Sequence, residues 1–382
     1  MQRPVAGNED SGLNWSREGF AAGQTVRQIV RVSAGGRTVR IRLSNAYGNK
    51  PLRVGGATVG RSAGGALVWP KTMRRLTFGH SASAVIPAGR GVVSDPVGLT
   101  TSALEKLSVT LRFAQATGPA TFHRFALGKT YRAKGDHLND IAAEPFGEST
   151  GAWYFLSGVE TEGNAGRAGR DTVVAFGDSL IDGVGSTPEA DGRITDHLAE
   201  RLMAAGRPLG VVNAGIGSNK LLNGSACGGD SALARFRRDV LDRPGVRSVI
   251  VHLGANDIGA PQVDDPCVRP NPKVTAEQLI AGYRQLIKAA HERGVKVIGV
   301  TIGPMKGALF PLWDEEAERI RQAVNKWVRT SGEYDSVADL AKVMADPADP
   351  ELPRPGYVFM DGLHPNDAGY HALAAAIDLK SL

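Results

Sequence analysis

Cysteine is nearly absent: Cys227 and Cys267 are the only two in 382 residues. So sparse a supply, with no Cys/His spacing of the metal-binding kind, excludes a structural zinc module, and no catalytic metal is expected. Both cysteines sit in Gly/Pro/Asp-rich stretches after expected strands, where two loops would come together. An even pair so placed predicts a disulfide and an oxidising compartment. Long apolar runs are also missing. None approaches the ~20 residues that cross a bilayer as a helix, so no integral membrane association is expected. The opening stretch, MQRPVAGNEDSGLNW, has no apolar core of the signal-peptide kind. The reading is a secreted chain starting at a mature end, with a cytoplasmic location as the alternative. Phosphate-cradling glycine patterns are lacking too: GDSLIDGVG follows an expected strand without being G-x-G-x-x-G. No cofactor is expected, and no nucleic-acid motif is seen.

What is present is an ordinary globular composition, 42% hydrophobic and 22% charged. The charge is uneven. Residues 1–165 carry 20 Lys+Arg against 11 Asp+Glu, and residues 166–382 carry 25 against 28. A basic front half could attract an anionic surface or polysaccharide, but Arg27, Arg31, Arg40 and Arg42 at period-2 spacing read as a solvated strand face.

From Gln24 the chain alternates as half-buried strands do: TVRQIVRV, then RTVRIRL, then PLRVGGATVG. Gly35-Gly36 between the first two is a hairpin signal. Further strands are expected at Ser83–Ile86, Leu107–Phe113, Thr121–Phe125 and Trp153–Val159. Many short strands with turn signals predict a β-sandwich or jelly roll over residues 1–165, with Greek-key connections favoured over simple hairpins. Trp15, Trp69 and Trp153 would form either its core or a sugar-stacking platform. Glu160–Arg170, ETEGNAGRAGR, reads as a linker.

The back half, 166–382, changes rhythm. Thr172–Phe176 is a continuous apolar run of the buried parallel-strand kind. Strands at Leu209–Asn213, Ser248–Leu253, Val295–Thr301 and Ser336–Leu340 follow, separated by helices at Ile194–Ala205, Ser231–Leu241, Thr275–Arg293 and Asp314–Thr330, and a helix at Asn366–Leu379 closes the chain. This alternation predicts a doubly wound parallel sheet in a three-layer α/β/α sandwich.

The strand ends carry the chemistry. Gly177-Asp178-Ser179 alone would read as turn chemistry. In company with the glycine turn 213–219, Gly254-Ala-Asn256-Asp257 and Asp361-Gly-Leu-His364-Pro365 it reads as a nucleophile. A serine hydroxyl needs an imidazole to take its proton, and His364 supplies one that Asp361, three residues earlier, would orient. The Asn256 amide, with backbone N–H groups of Ser179 and of Gly217 or Ser218, would receive the negative charge of an acyl-transfer intermediate. Asp178 and Asp257 would support the loops, Asp182 would hold the segment after Ser179, and His252, inside a strand, reads as core.

These four blocks resemble those of the GDSL family of SGNH hydrolases, over about residues 171–382. The resemblance implies a flavodoxin-like α/β/α fold and carboxylic ester hydrolysis through an acyl-enzyme. One position departs from the pattern: the family's oxyanion glycine falls on Ser218, beside Gly217, and spacing leaves open which of the two donates. The expected substrate is a small ester or acylated glycan with a short acyl group. A lipase for longer chains and a non-catalytic carbohydrate-binding protein are the alternatives. Oligomeric state is not legible.

Overall fold

Gly36–Ser44 buries Val39, Ile41 and Leu43 on one face and leaves the intervening residues partly open, the signature of a strand covering a core on one side. The computed structural model describes residues 1–5, 14–163, 171–207 and 209–382, and the chain divides into units Met1–Gly166 and Arg167–Leu382. In the first unit the strands form antiparallel sheets. One runs in the order Glu148–Thr150, Thr130–Ala133, Thr25–Arg31, Lys106–Phe113, Leu52–Gly64, Leu67–Val68, with Arg74–Leu76 and Ala84–Ile86 also on Leu52–Gly64. Another joins Leu156–Glu162, Gly36–Ser44, Gly91–Val93 and Val97–Thr101. Both contribute to one core, Val26 and Leu111 from the first and Ile41 and Leu43 from the second.

Several sequence expectations change here. Thr25–Arg31 and Gly36–Ser44 lie in different sheets, so Gly35-Gly36 is a crossover and not a hairpin turn. Neither glycine has the positive φ that a tight primed turn needs. They serve close backbone approach instead: a Cβ on Gly36 would stand 2.6 Å from the Glu162 carbonyl oxygen. Arg27 is not solvated. It is fully buried over the Phe146 ring and donates to the Asp140 and Ala66 carbonyls, and burial pulls its pKa down to about 10. Arg40 and Arg42 do lie at the surface edge, paired with Glu162 and Glu160. Trp15 is wholly buried and Trp153 packs against the core, so of the three tryptophans only Trp69 is exposed and no platform forms. The expected strand at 121–125 shrinks to Phe122–His123, paired with Trp153–Tyr154. The expected linker starts later than Glu160, because strand Leu156–Glu162 runs into it. Residues 164–170 of that linker lie outside the described residues.

The second unit holds a five-stranded parallel sheet: β1 (Thr172–Gly177), β2 (Gly210–Gly215), β3 (Val246–His252), β4 (Lys296–Val300) and β5 (Ser336–Ala338), in the order β2-β1-β3-β4-β5. Its helices are α1 (Ser179–Asp182), α2 (Ile194–Ala204), α3 (Ala232–Phe236), α4 (Ala255–Gly259), α5 (Ala276–His291), α6 (Glu315–Thr330), α7 (Leu340–Met344) and α8 (Asp367–Ala375). The last is shorter than the expected 366–379. Strand side chains alternate between two cores. Val174, Phe176, Val249 and Val251 pack with α3, α5 and α6. Val173, Ala175, Ile250 and Ile298 pack with α2, α7 and α8. The strand order reverses beside β1, which makes the carboxyl ends of β1 and β3 the natural crevice.

Gly36→Ala would force a methyl group into the Glu162 backbone, and overpacking of this kind costs about 1–3 kcal/mol. Urea unfolding followed by tryptophan fluorescence should give a lower midpoint for this variant, and an unchanged midpoint would refute the crossover role.

Candidate active site

The nucleophile turn is shaped by what fits between strand ends. β1 ends at Gly177, where a Cβ would lie 2.3 Å from the His252 carbonyl oxygen on β3. Asp178 then caps α1 by accepting from the Leu180 N–H at 3.1 Å, and Gly183 closes that single turn in the left-handed region. Ser179 is thereby presented as the first residue of α1, partly open to solvent.

Residues 185 positions apart in sequence meet there. His364 Nε2 is 2.8 Å from Ser179 Oγ, and His364 Nδ1 is 2.6 Å from Asp361 Oδ2. The other carboxylate oxygen of Asp361 accepts the N–H groups of Leu363 and His364 at 2.9 and 3.0 Å. Burial alone would raise the Asp361 pKa. The imidazole and the two N–H groups outweigh it and hold the carboxyl below its usual value. A hydroxyl bonded to an imidazole that a carboxylate orients can give up its proton as it attacks.

On the facing loop Gly217 and Ser218 differ in hydrogen bonding. The Gly217 N–H is occupied by Asp182 Oδ2 at 2.8 Å. The N–H groups of Ser218 and Ser179 have no acceptor among the described residues. Ser218 adopts φ of 60°, a left-handed conformation that suits the glycine expected there better than serine. Asn256 stands in α4, just after Gly254, whose φ of 103° turns the chain out of β3. One N–H of its amide is fixed on the Asn219 carbonyl at 3.1 Å, leaving the other to point elsewhere.

The supporting carboxylates are anchored to backbone. Asp257 accepts from Leu221 and Leu222 at 2.7 and 3.0 Å; burial pushes its pKa up to about 6 against the pull of those N–H groups. Asp178 also bonds His252 Nδ1 at 3.0 Å, both side chains being buried, so His252 is more than filler in the core. Cys227 and Cys267 are bonded to each other, and the Cys227 N–H donates to the Cys267 carbonyl at 2.9 Å, tying the loop after Ser218 to the loop after Asn256. No group of three or more His, Cys, Asp or Glu among the described residues could hold a metal ion.

Arg235 on α3 was not singled out from the sequence. It is completely buried, 4.1 Å over the Phe176 ring. It donates to the Gly177 carbonyl at 2.7 Å, the Ala214 carbonyl at 2.8 Å and Asn219 Oδ1 at 2.9 and 3.0 Å, with Asp239 at 3.2 Å as counter-ion. The signal available was an Arg-Asp pair four residues apart beside the apolar stripe Ala232, Phe236, Val240.

Two measurements follow from this geometry. Arg235→Met would take a donor from Asn219 Oδ1 and from the Gly177 and Ala214 carbonyls, while Asp239 keeps Arg238 and Arg243; a buried acceptor left unsatisfied costs about 1–3 kcal/mol, chemical denaturation should report a fall of that size, and a fall under about 1 kcal/mol would sink the bridging role. For Asp257 the folded carboxyl binds its proton more tightly than the unfolded one. Its contribution to stability is therefore greatest below the unfolded pKa and falls as pH rises from about 4 to about 6, by at most about 3 kcal/mol. Asp257→Asn should flatten that part of the stability-pH curve; an unaltered slope would show that the carboxyl is ionised throughout.

Residues 175–372, just over half of the chain, match the model of the GDSL-like Lipase/Acylhydrolase family. Among solved structures, the lipase/acylhydrolase from Enterococcus faecalis is 24% identical, with 54% of this chain and 92% of that chain covered and a TM-score of 0.39. An acetyl xylan esterase is 22% identical, covering 54% of this chain and 96% of its own, with a TM-score of 0.41. The M. smegmatis aryl esterase is 18% identical, covering 54% and 95%, with a TM-score of 0.41. Likeness at this level says nothing about substrate. No curated protein matches the chain. With the family model matched across the sheet, the Ser179 turn and the His364 loop, the chain belongs to the GDSL-like lipase/acylhydrolase family and is a carboxylic ester hydrolase.

Proposed function

We propose that the protein is a serine esterase for short acyl groups, acetyl first among them, and that it works through a covalent acyl-enzyme. The reading rests above all on the 2.8 Å contact between Ser179 Oγ and His364 Nε2, with Asp361 behind the imidazole. Ser179 Oγ bonds to the acyl carbon while His364 takes its proton; the bond from that carbon to the alcohol oxygen then breaks, and His364 returns the proton to the departing alcohol. Water repeats the sequence on the acyl-enzyme. Asp361 keeps Nδ1 protonated and steadies the imidazolium. The N–H groups of Ser179 and Ser218 and the free N–H of the Asn256 amide receive the oxyanion.

A short acyl group is favoured because no element near the site resembles a lid. Among the described residues, the segments 215–230, 253–271, 301–314 and 345–366 hold no helix longer than the five residues of α4. The Cys227–Cys267 bond favours an oxidising, extracytoplasmic setting. An acetyl group carried on a glycan remains within this reading, as does one carried on a simpler alcohol.

Ser179→Ala should remove p-nitrophenyl acetate hydrolysis while circular dichroism stays native, and turnover near the wild-type rate would refute the nucleophile. Asn256→Ala should lower kcat by about 10²–10³ with a smaller change in KM, the pattern of a lost oxyanion donor. Across p-nitrophenyl esters from acetyl to octanoyl, kcat/KM should fall; a rise would favour a lipase.

A further inference from the structure

Large hydrophobic side chains left in solvent are unevenly distributed over the second unit. Among the described residues six are exposed, and four of them, Leu309, Phe310, Phe359 and Met360, stand on the two loops that carry or adjoin the His364 turn. Leu309 and Met360 are extreme, at 76% and 81% exposure. The loops are built together. The Leu309 N–H donates to the Asp361 carbonyl at 2.9 Å, and the Phe359 N–H to the His364 carbonyl at 2.8 Å. A Cβ on Gly362 would come within 3.0 Å of the Gly307 carbonyl oxygen. The Phe310 ring stands edge-on to the His364 imidazole, centroids 6.4 Å apart at 79°. Exposed apolar clusters of this kind, continuous with a reacting group, mark a binding surface.

Which half of an ester it meets follows from the proton. His364 Nε2 hands its proton to the leaving oxygen, so the first atoms of the alcohol must lie beside the imidazole. The oxyanion donors come from other loops, after β1, β2 and β3. Charge points the same way. Lys306, near the start of this loop, is neutralised by Asp349 and Glu351, each at 3.2 Å, and Asp361 is engaged by His364. A charged alcohol would find no free counter-ion in these groups.

We infer that Leu309, Phe310, Phe359 and Met360 form the leaving-group subsite, and that the alcohol it takes is a neutral alkyl or aryl one and not a bare sugar. This rests on the serine-esterase reading and divides alcohols that the reading leaves together. A partly covered methylene adds about twofold to binding. For methyl, butyl and hexyl acetate, all kept below their solubility limits and followed by pH-stat, kcat/KM should rise at least about tenfold from methyl to hexyl, and both should exceed a xylose peracetate. In Leu309→Ser/Met360→Ser, the hexyl-to-methyl ratio should drop below about threefold. Both positions are too exposed for the change to reach the core, and circular dichroism checks this.

A flat wild-type series, a preference for the acetylated sugar, or an unaltered ratio in the double variant would overturn the proposal while leaving the esterase intact. So would a series that is flat below the solubility limits and rises only in a second series run above them, with that rise lost in the variant, which would assign the patch to a lipid interface. Absence of turnover on every ester, with no labelling of Ser179 by an organophosphonate, would instead bring down the esterase reading and this subsite with it.

Discussion

A single buried guanidinium ties the ends of β1 and β2 to the loop that follows β2. Arg235 reaches the carbonyl that ends β1, the carbonyl of Ala214 near the end of β2, and the side chain of Asn219. Asn219 in turn offers its own carbonyl to Asn256 beyond β3 and donates from its amide to the Gly228 and Asp230 carbonyls. The laddered ends of β1 and β2 and the loop after β2 thus share one cation, and Asn219 passes the connection on to the loop after β3. Desolvating that cation is costly, and the cost is tolerable only because the fork of donors is filled and Asp239 supplies the opposite charge. Lysine would be a poor replacement, since its three donors radiate from a single nitrogen while these acceptors are spread over the width of the guanidinium fork. The loop that carries Ser218 is therefore tied, through Asn219, to the end of the strand that leads into the Ser179 turn.

This explains the boundary of what the sequence makes legible. Asp361 and His364 are three residues apart, and Gly177-Asp-Ser179 is contiguous, so their chemistry is local and can be read before any fold is known. The parallel sheet is legible for the same reason: buried strands between amphipathic helices give a one-dimensional signal. Arg235 is different. Its meaning comes entirely from burial against Phe176, which no spacing rule announces. Phe359 and Met360 carry no sequence signal of exposure, and only the loop geometry leaves them in solvent. In the first unit the same limitation misdirected two readings. Gly35-Gly36 carries the composition of a turn while doing the work of a close crossing, and Arg27 carries the spacing of a solvent face while lying under Phe146.

The aspartates around the nucleophile illustrate a division of labour that charge alone would conceal. Asp178 caps α1, Asp182 takes the Gly217 N–H, and Asp257 takes those of Leu221 and Leu222. Each is an acceptor for backbone that has left the sheet, where N–H groups lose their ladder partners and must find others. Of the four acidic groups only Asp361 faces the imidazole that contacts Ser179. The carboxylate of Asp178, despite sitting next to the nucleophile in sequence, turns to Leu180 and His252.

Against that nearly complete satisfaction, the donors left over acquire significance. From the end of β2 onward the Gly215 N–H goes to Asn213, that of Gly217 to Asp182 and that of Asn219 to Ile216, while among the described residues the N–H of Ser218, held at positive φ, has no acceptor. The same holds for Ser179, the first residue of α1. An unpaired backbone N–H is expensive where water is excluded and cheap where water or a ligand can reach it. On the proposed acyl-transfer reading, the acceptor that these two N–H groups lack among the described residues is the oxyanion. The turn at Ser218 holds a serine in the left-handed region that glycine adopts most readily, and on the proposed reading that strain sits where an oxyanion donor is needed.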